Sequence, residues 1–361
     1  MTLLTRRAMT TAALAGTMGA SMIPTMVRAG VRKPVVIAHR GASGERPEHT
    51  LLAYGLAVDQ GCDFIEPDLV VTRDGHLVVR HENEIGGTTD VAARPEFAGR
   101  KATKTIDGES LTGWFTEDFT LAEIKTLRAR ERLPQLRPAS AAFDGQASVL
   151  TFDEAVAFAR AESKRVGRTI GVYPEMKHPA YFASIGLPIE GRMVEALKRN
   201  DLNSKTAPVF VQCFEVGPLK TLRLKTPARL VLLVAGEGGP ADLPNVKYAD
   251  LVTPEGLKGV AAYADGLGPE KTMVVPQDKQ TLLPATSLVK DAHAAGLLVH
   301  PWTVRAENYF LPATLRKGNA SAPDYLAQRG DVTAVLKALY AAGVDGVFSD
   351  FPGLAAAARQ A

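Results

Sequence analysis

Two histidines, three carboxylates and two basic side chains stand at or just past the ends of apolar runs. His39 and Arg40 close VVIAH and open HRGASGERPEHT, residues 39–50. Glu66 and Asp68 lie two residues apart in FIEPDLV, a spacing that puts both side chains on one face of an extended strand. His81 follows LVVR, and Glu175 and Lys177 end IGVYPEMK. Glu66, Asp68 and Glu175 offer only hard oxygen ligands, which suit Ca²⁺ or Mg²⁺ better than a soft transition metal. Arg40 and Lys177 supply positive charge to an anionic substrate. His39 and His81 can exchange protons near neutral pH as acid and base. Taken singly, each has an ordinary explanation: a histidine that donates structurally, solvated hairpin acids, a surface lysine, and Glu48 as a loop-orienting acceptor. The coincidence of all seven at strand ends is what points to metal-assisted chemistry on an anion.

The elements that must position these residues are readable. Short apolar runs lie at 35–39, 64–70, 170–176, 209–214, 229–234, 264–268, 297–304 and 346–350. Helical stretches separate them, which indicates a parallel sheet covered on both faces. Eight such runs predict an α/β (β/α)8 barrel of the TIM type, whose active site belongs at the carboxyl ends of its strands. An open doubly wound sheet is the rival that periodicity does not exclude. Thr120 and Thr151 each stand three residues before a glutamate, Glu123 and Glu154, the spacing of a capping box. Between about 83 and 150 the alternation fails, and the stretch is expected to be a small insertion after the second-strand hairpin, not an independent domain. Asp74-Gly75 suits a two-residue type I′ turn. A regular hairpin around it would place Asp68 directly opposite His81.

The chain has 361 residues, 46% of them hydrophobic, enough for one large barrel core. Arg6-Arg7, a weakly apolar run at 8–24 and small residues around Ala29 have the layout of an export signal over residues 1–29. The paired arginines suggest the twin-arginine route, although Met9 and Thr10 stand where Phe and Lys are usual. A periplasmic or secreted barrel over 30–361 is expected, with the export machinery as a transient partner. Arg6, Arg7 and Arg28 account for the whole formal charge of +3, so the remainder is neutral and has no broad footprint for nucleic acid. No other stretch approaches the ~20 apolar residues of a membrane span, so no stable membrane insertion is expected. The two cysteines, Cys62 and Cys213, are expected to be free and buried, the second lying inside the apolar run VFVQCF.

In order along the chain, HRG, PEHT, FIEPDLVVTRDGHLVVRHE, IGVYPEMK, VQCF, HPWTVR and GVFSDFP resemble the glycerophosphodiester phosphodiesterase family, particularly its periplasmic bacterial branch. The resemblance implies that His39 and His81 are the catalytic pair and that Glu66, Asp68 and Glu175 hold a divalent metal. It also implies that Arg40 and Lys177 contact phosphate, and that Phe214 and Trp302 wall a glycerol pocket. The chain departs from the family in having His49 where Asn is usual and Glu82 where Asp is usual. The lengthened arm leaves any role of Glu82 in orienting His81 in question, and His49 adds a titratable group beside the first loop. The implied reaction is hydrolysis of a small glycerophosphodiester to sn-glycerol 3-phosphate and an alcohol, with His39 as acid and His81 as base the favoured assignment. Two rivals remain: a phospholipase D-like or cyclising lyase, and a non-catalytic periplasmic phosphoester-binding protein. The binder has no use for two histidines beside three acids, and chelator-sensitive release of glycerol phosphate separates it from an enzyme.

Overall fold

Each of the eight apolar runs contains a strand in the computed structural model, which describes residues 33–360. The segment read as an export signal lies outside the described residues. In chain order the strands are β1 (Val35–His39), β2 (Phe64–Glu66), β3 (Asp68–Val71), β4 (Leu77–Val79), β5 (Ala102–Ile106), β6 (Glu109–Gly113) and β7 (Gly171–Val172). They continue as β8 (Glu175–Met176), β9 (Phe210–Cys213), β10 (Arg229–Val234), β11 (Gly266–Pro269), β12 (Leu298–Val299) and β13 (Gly346–Ser349). Pro67 separates β2 from β3, and the Tyr173-Pro174 step separates β7 from β8. Each pair is one stave with a short irregularity, because backbone bonds continue across it: Tyr173 N donates to Ile65 O and Glu175 N to Pro67 O.

The staves pair in parallel in the order β13, β1, β2–β3, β7–β8, β9, β10, β11, β12. The ring closes where the chain beyond β12 runs beside β13: Val304 N donates to Phe348 O at 2.8 Å and Asp350 N to Val304 O at 3.1 Å. A helix returns from every stave, beginning with Leu51–Asp59 after the first and ending with Pro352–Ala358 after the last. The capping boxes at Thr120 and Thr151 both form, the second starting the helix Phe152–Val166. Cys62 and Cys213 are buried and free.

Residues inside the ring follow the strand period of two. Ile37, Phe64, Tyr173, Phe210, Val231 and Phe348 pack into one interior cluster. Tyr173 stacks on Phe210 at 4.9 Å, with Phe64 and Phe348 edge-on to Tyr173. Two residues further along each stave, toward its carboxyl end, stand His39, Glu66, Glu175, Gln212, Leu233 and Asp350. An apolar layer is thus overlaid by a mostly polar one.

The β3–β4 hairpin corrects the expected register. Leu69 pairs with Val79 and Val71 with Leu77, so Asp68 faces Arg80, whose N donates to Asp68 O at 2.9 Å, and not His81. Type I′ needs positive φ at both turn residues, but only Gly75 (φ +84) has it. Asp74 instead accepts from Thr72 Oγ1 and from Leu121 N, and a three-residue loop results, closed by Thr72 N to His76 O. The added residue shifts every pairing by one. His81 still reaches the strand ends because it lies past the last ladder pair.

Residues 83–150 contain no barrel strand. They carry the β5–β6 hairpin, short 3-10 turns and the helices Leu121–Ile124 and Pro138–Ala141, and belong to the same compact unit as the barrel.

Candidate active site

The carboxyl ends of the staves enclose a cavity of about 350 Å³ lined by His39, Arg40, Glu66, His81, Glu175, Lys177, Phe214 and Trp302, among others. Every sequence-predicted site residue except Asp68 lines it directly. Asp68 stands behind the wall with Glu66 and Glu175, one carboxylate oxygen of each lying within 4.8 Å of the other two. All three are buried.

These carboxylates are individually held. Glu66 Oε2 accepts from Arg40 N at 2.8 Å and Oε1 from Gln212 Nε2 at 3.1 Å. Asp68 Oδ2 takes His49 Nε2 at 3.0 Å and lies 3.5 Å from Arg40 Nε. Glu175 Oε1 accepts from Lys177 Nζ at 2.9 Å. Burial pushes Glu175 up to about 8, with the Asp68 charge adding and Lys177 opposing. Burial, then the neighbouring Asp68 and Glu175 charges, raise Glu66 well above the usual carboxylate range. Asp68 is held well below it, against burial, by the His49 hydrogen bond and by nearby positive charge. Asp68 Oδ1 is buried with no hydrogen-bond partner. An unsatisfied carboxylate oxygen facing two further crowded carboxylates is the signature of an oxygen-lined cation site, and the residues present fit a hard divalent ion.

The histidines are set differently. His39 Nδ1 lies 2.6 Å from Asp350 Oδ1, and Asp350 Oδ2 is gripped by Arg137 at 2.5 Å and Arg305 at 3.1 Å. Burial and the Arg40 charge bring His39 down to about 4, against the pull of Asp350. His81 Nδ1 lies 2.6 Å from Glu82 Oε1, while Nε2 faces Lys177 Nζ at 3.2 Å. Burial, then Arg40 and Lys177, lower His81 to about 3. Both rings are therefore neutral near pH 7 before substrate arrives, each donating Nδ1–H to a carboxylate and each with a base at Nε2. Glu82, despite its longer arm, does contact His81.

Local backbone explains how the first loop delivers its groups. Gly41 (φ +92) tucks the HRG turn against the helix Leu51–Asp59, where a Cβ would fall 2.6 Å from Ala53 Cβ. Arg40 and His49 adopt left-handed backbone (φ 59 and 61), an unfavourable state that turns Arg40 inward to Glu48 and His49 to Asp68. His49 is wholly buried, a carboxylate holder and not a group on the open loop.

Opposite the acids, Phe214 and Trp302 meet edge to face at 5.5 Å, and Lys177 Nζ sits 5.7 Å from the Phe214 ring centre. Thr303 Oγ1, buried in the same wall, has no partner.

Several contributors escaped the sequence reading. Asp350 and Gln212 obey the same rule as the predicted residues, a polar side chain at the carboxyl end of an apolar run, and that rule could have found them. Arg305 also stands just past an apolar run, the one ending at 304, whereas Arg132 and Arg137 had no such signal. Arg132 reaches Glu48 Oε2 at 3.0 Å and Arg137 reaches Asp350 from the irregular segment 83–150, which only tertiary folding brings here.

Comparison with known proteins agrees with this geometry. A profile of the glycerophosphoryl diester phosphodiesterase family matches residues 39–354. The chain is 34% identical over 333 residues to glycerophosphodiester phosphodiesterase GDPD6 of Arabidopsis thaliana, covering 89% of this chain and 84% of that one. It is 32% identical to the glycerophosphodiester phosphodiesterase of Haemophilus influenzae, with coverage of 88% and 87%. In fold it is similar to an Oleispira antarctica phosphodiesterase solved in complex with sn-glycerol-3-phosphate, with TM-score 0.59, 21% identity and coverage of 91% and 97%.

Proposed function

The chain belongs to the glycerophosphoryl diester phosphodiesterase family, and from that premise we propose how its own residues cleave a glycerophosphodiester to sn-glycerol 3-phosphate and an alcohol. The observation that carries the proposal is the convergence, in and just behind the wall of one cavity, of three mutually crowded carboxylates with two carboxylate-paired histidines.

Arg40 and Lys177 bind the phosphodiester monoanion, and Phe214 and Trp302 pack the glycerol carbons. Thr303 Oγ1 is a free partner for a glycerol hydroxyl. A divalent ion held by Glu66, Asp68 and Glu175, of which Ca²⁺ and Mg²⁺ suit the all-oxygen donors, supplies positive charge to the phosphoryl group. One histidine takes a proton from the nucleophile through Nε2 and the other gives one to the leaving alkoxide, each worth about 10²–10⁴-fold. Because both rings are neutral beforehand, the acid must gain its proton with or after the substrate anion. Asp350 and Glu82 stabilise the imidazolium that forms at either ring.

The nucleophile is the glycerol 2-hydroxyl, giving a cyclic 1,2-phosphate that water then opens with the histidine roles exchanged. Proximity favours it over direct attack by water, since a neighbouring hydroxyl has a large effective molarity. A substrate lacking the 2-hydroxyl should bind but turn over poorly, and its rapid hydrolysis would leave direct attack by water.

Residues 1–29 support export to the periplasm or beyond. The test of the metal reading is release of glycerol phosphate from glycerophosphocholine by purified enzyme. Chelation should abolish it and Ca²⁺ or Mg²⁺ restore it; full activity after thorough metal removal rejects the assignment.

A further inference from the structure

Glu82 touches more than His81. Its Oε1 lies 2.6 Å from His81 Nδ1 and its Oε2 3.0 Å from His178 Nε2, while His178 Nδ1 lies 2.6 Å from Asp107 Oδ2. One carboxylate bridges two imidazoles, and the second imidazole ends on a second carboxylate. The four residues come from three places in the chain: the segment after β4, the loop after β8, and the tip of the β5–β6 hairpin. His178 and Asp107 both hold left-handed backbone, φ 49 at each. For non-glycine residues that conformation is unfavourable, and surrounding contacts must maintain it.

The bonding leaves little freedom in protonation. With a carboxylate on each nitrogen, His178 donates from both and is an imidazolium. Burial opposes that charge, but the bonds to Asp107 and Glu82 outweigh it and hold the group up at about 9. Fixed through Oε2, Glu82 turns its other oxygen to His81 Nδ1. Lys177 Nζ donates to His81 Nε2, so the proton of neutral His81 sits on Nδ1 and the Nε2 lone pair accepts from Lys177 at the cavity wall. A glutamate has one more rotatable bond than an aspartate, and without an anchor that freedom passes to the ring it should orient.

We propose that His178, itself fixed by Asp107 at the tip of the inserted hairpin, is a positioning residue that locks Glu82 and so sets the ring orientation and tautomer of His81. The inference rests on the acid–base role given to His81 above. It also gives the inserted hairpin a function, since its tip reaches the catalytic centre through a single histidine.

The test uses Ca²⁺-loaded enzyme with glycerophosphocholine, together with ¹⁵N NMR of the histidine side chains. His178→Ala should lower kcat roughly 10–100-fold with KM changed less than about twofold, because substrate contacts are untouched. His178→Gln, whose amide nitrogen can still donate to Glu82, should recover much of the loss. His178→Ala combined with Glu82→Gln should be no slower than Glu82→Gln alone. His81 should be protonated at Nδ1 in the parent and a mixture of tautomers in His178→Ala. Unchanged kcat, a KM that rises as kcat falls, additive losses, or an unaltered His81 tautomer would each overturn the proposal. Should His178→Ala unfold, Asp107→Asn, which removes the anion holding His178, carries the same comparisons. His81→Ala is run beside them: normal turnover there rejects the acid–base reading of His81, while the tautomer measurement still decides what His178 does.

Discussion

The site's carboxylates illustrate how residue type and environment divide the work. Glu66, Asp68 and Glu175 share one cluster, yet Asp68 is held low by His49 and Arg40 while Glu66 and Glu175 are pushed up. Glu66→Gln, Asp68→Asn and Glu175→Gln should each weaken metal affinity, and excess Ca²⁺ or Mg²⁺ should partly recover activity. His49→Ala should weaken it less, by about 10–100-fold, since it frees Asp68 without removing it. Isothermal titration of the stripped proteins checks both. His178 makes a separate prediction for stability. Its folded pKa, about 9, lies above its unfolded value of 6.5, so its contribution is fully present below pH 6.5 and lost as pH rises through 9. The stability gap between the parent and His178→Gln should therefore be widest near pH 6, roughly 3 kcal/mol at most. It should close by pH 10 in chemical denaturation, and a gap that widens with pH would contradict the assignment.

At the scale of elements, the irregular segment between β4 and the helix Phe152–Val166 reaches three parts of the site. Asp107 meets His178, Arg132 meets Glu48, and Arg137 meets Asp350, Glu307 and Ser43 O. Arg137 is buried between two acids, so Arg137→Leu leaves Glu307 without its cation and Asp350 with Arg305 and His39 alone. It should cost about 3–5 kcal/mol and slow turnover through a loosened Asp350–His39 pair. Thermal unfolding and steady-state kinetics together test this, and a slowed enzyme of normal stability would show that Arg137 acts on catalysis alone. The staves were legible because short β-rich apolar runs and their period of two are local properties, and the residues two steps beyond the apolar layer inherit the site. The hairpin register was not legible, because the turn type depends on what captures the aspartate. Two of the chain's Asp-Gly pairs sit at the turns of antiparallel hairpins. At Asp107-Gly108 both residues have positive φ and Ile106 pairs with Glu109, the two-residue turn. At Asp74-Gly75 the carboxylate is drawn to Leu121 N from another part of the chain, and the turn lengthens. Arg132 and Arg137 were invisible for the same reason: their partners lie 84 and 213 residues away.

At the scale of the whole molecule, the charge excess resides in Arg6, Arg7 and Arg28, and the remainder is neutral. Among the described residues no helix is long and apolar enough to cross a membrane. If the paired arginines direct export, replacing both with lysine should leave precursor in the cytoplasm. Fractionation and immunoblotting measure this, and mature protein still found outside would exclude the twin-arginine route.

The aromatic layer within the ring makes the cavity a cul-de-sac. Ile37, Phe64, Tyr173, Phe210, Val231 and Phe348 form a buried layer beneath it, and a barrel interior filled by side chains is a packed core and not a pore. Substrate, water and both products must then share one doorway. In the proposed pose the phosphate half lies against Arg40 and Lys177, beneath the leaving alcohol, so the alcohol should depart first and sn-glycerol 3-phosphate follow. Glycerol phosphate should accordingly inhibit competitively against the diester, whereas choline should inhibit only weakly. Product-inhibition patterns decide this, and stronger inhibition by choline would reverse the order of departure. In the cyclic route the same traffic rule has a chemical use: the route by which water arrives is cleared only when the first alcohol has gone.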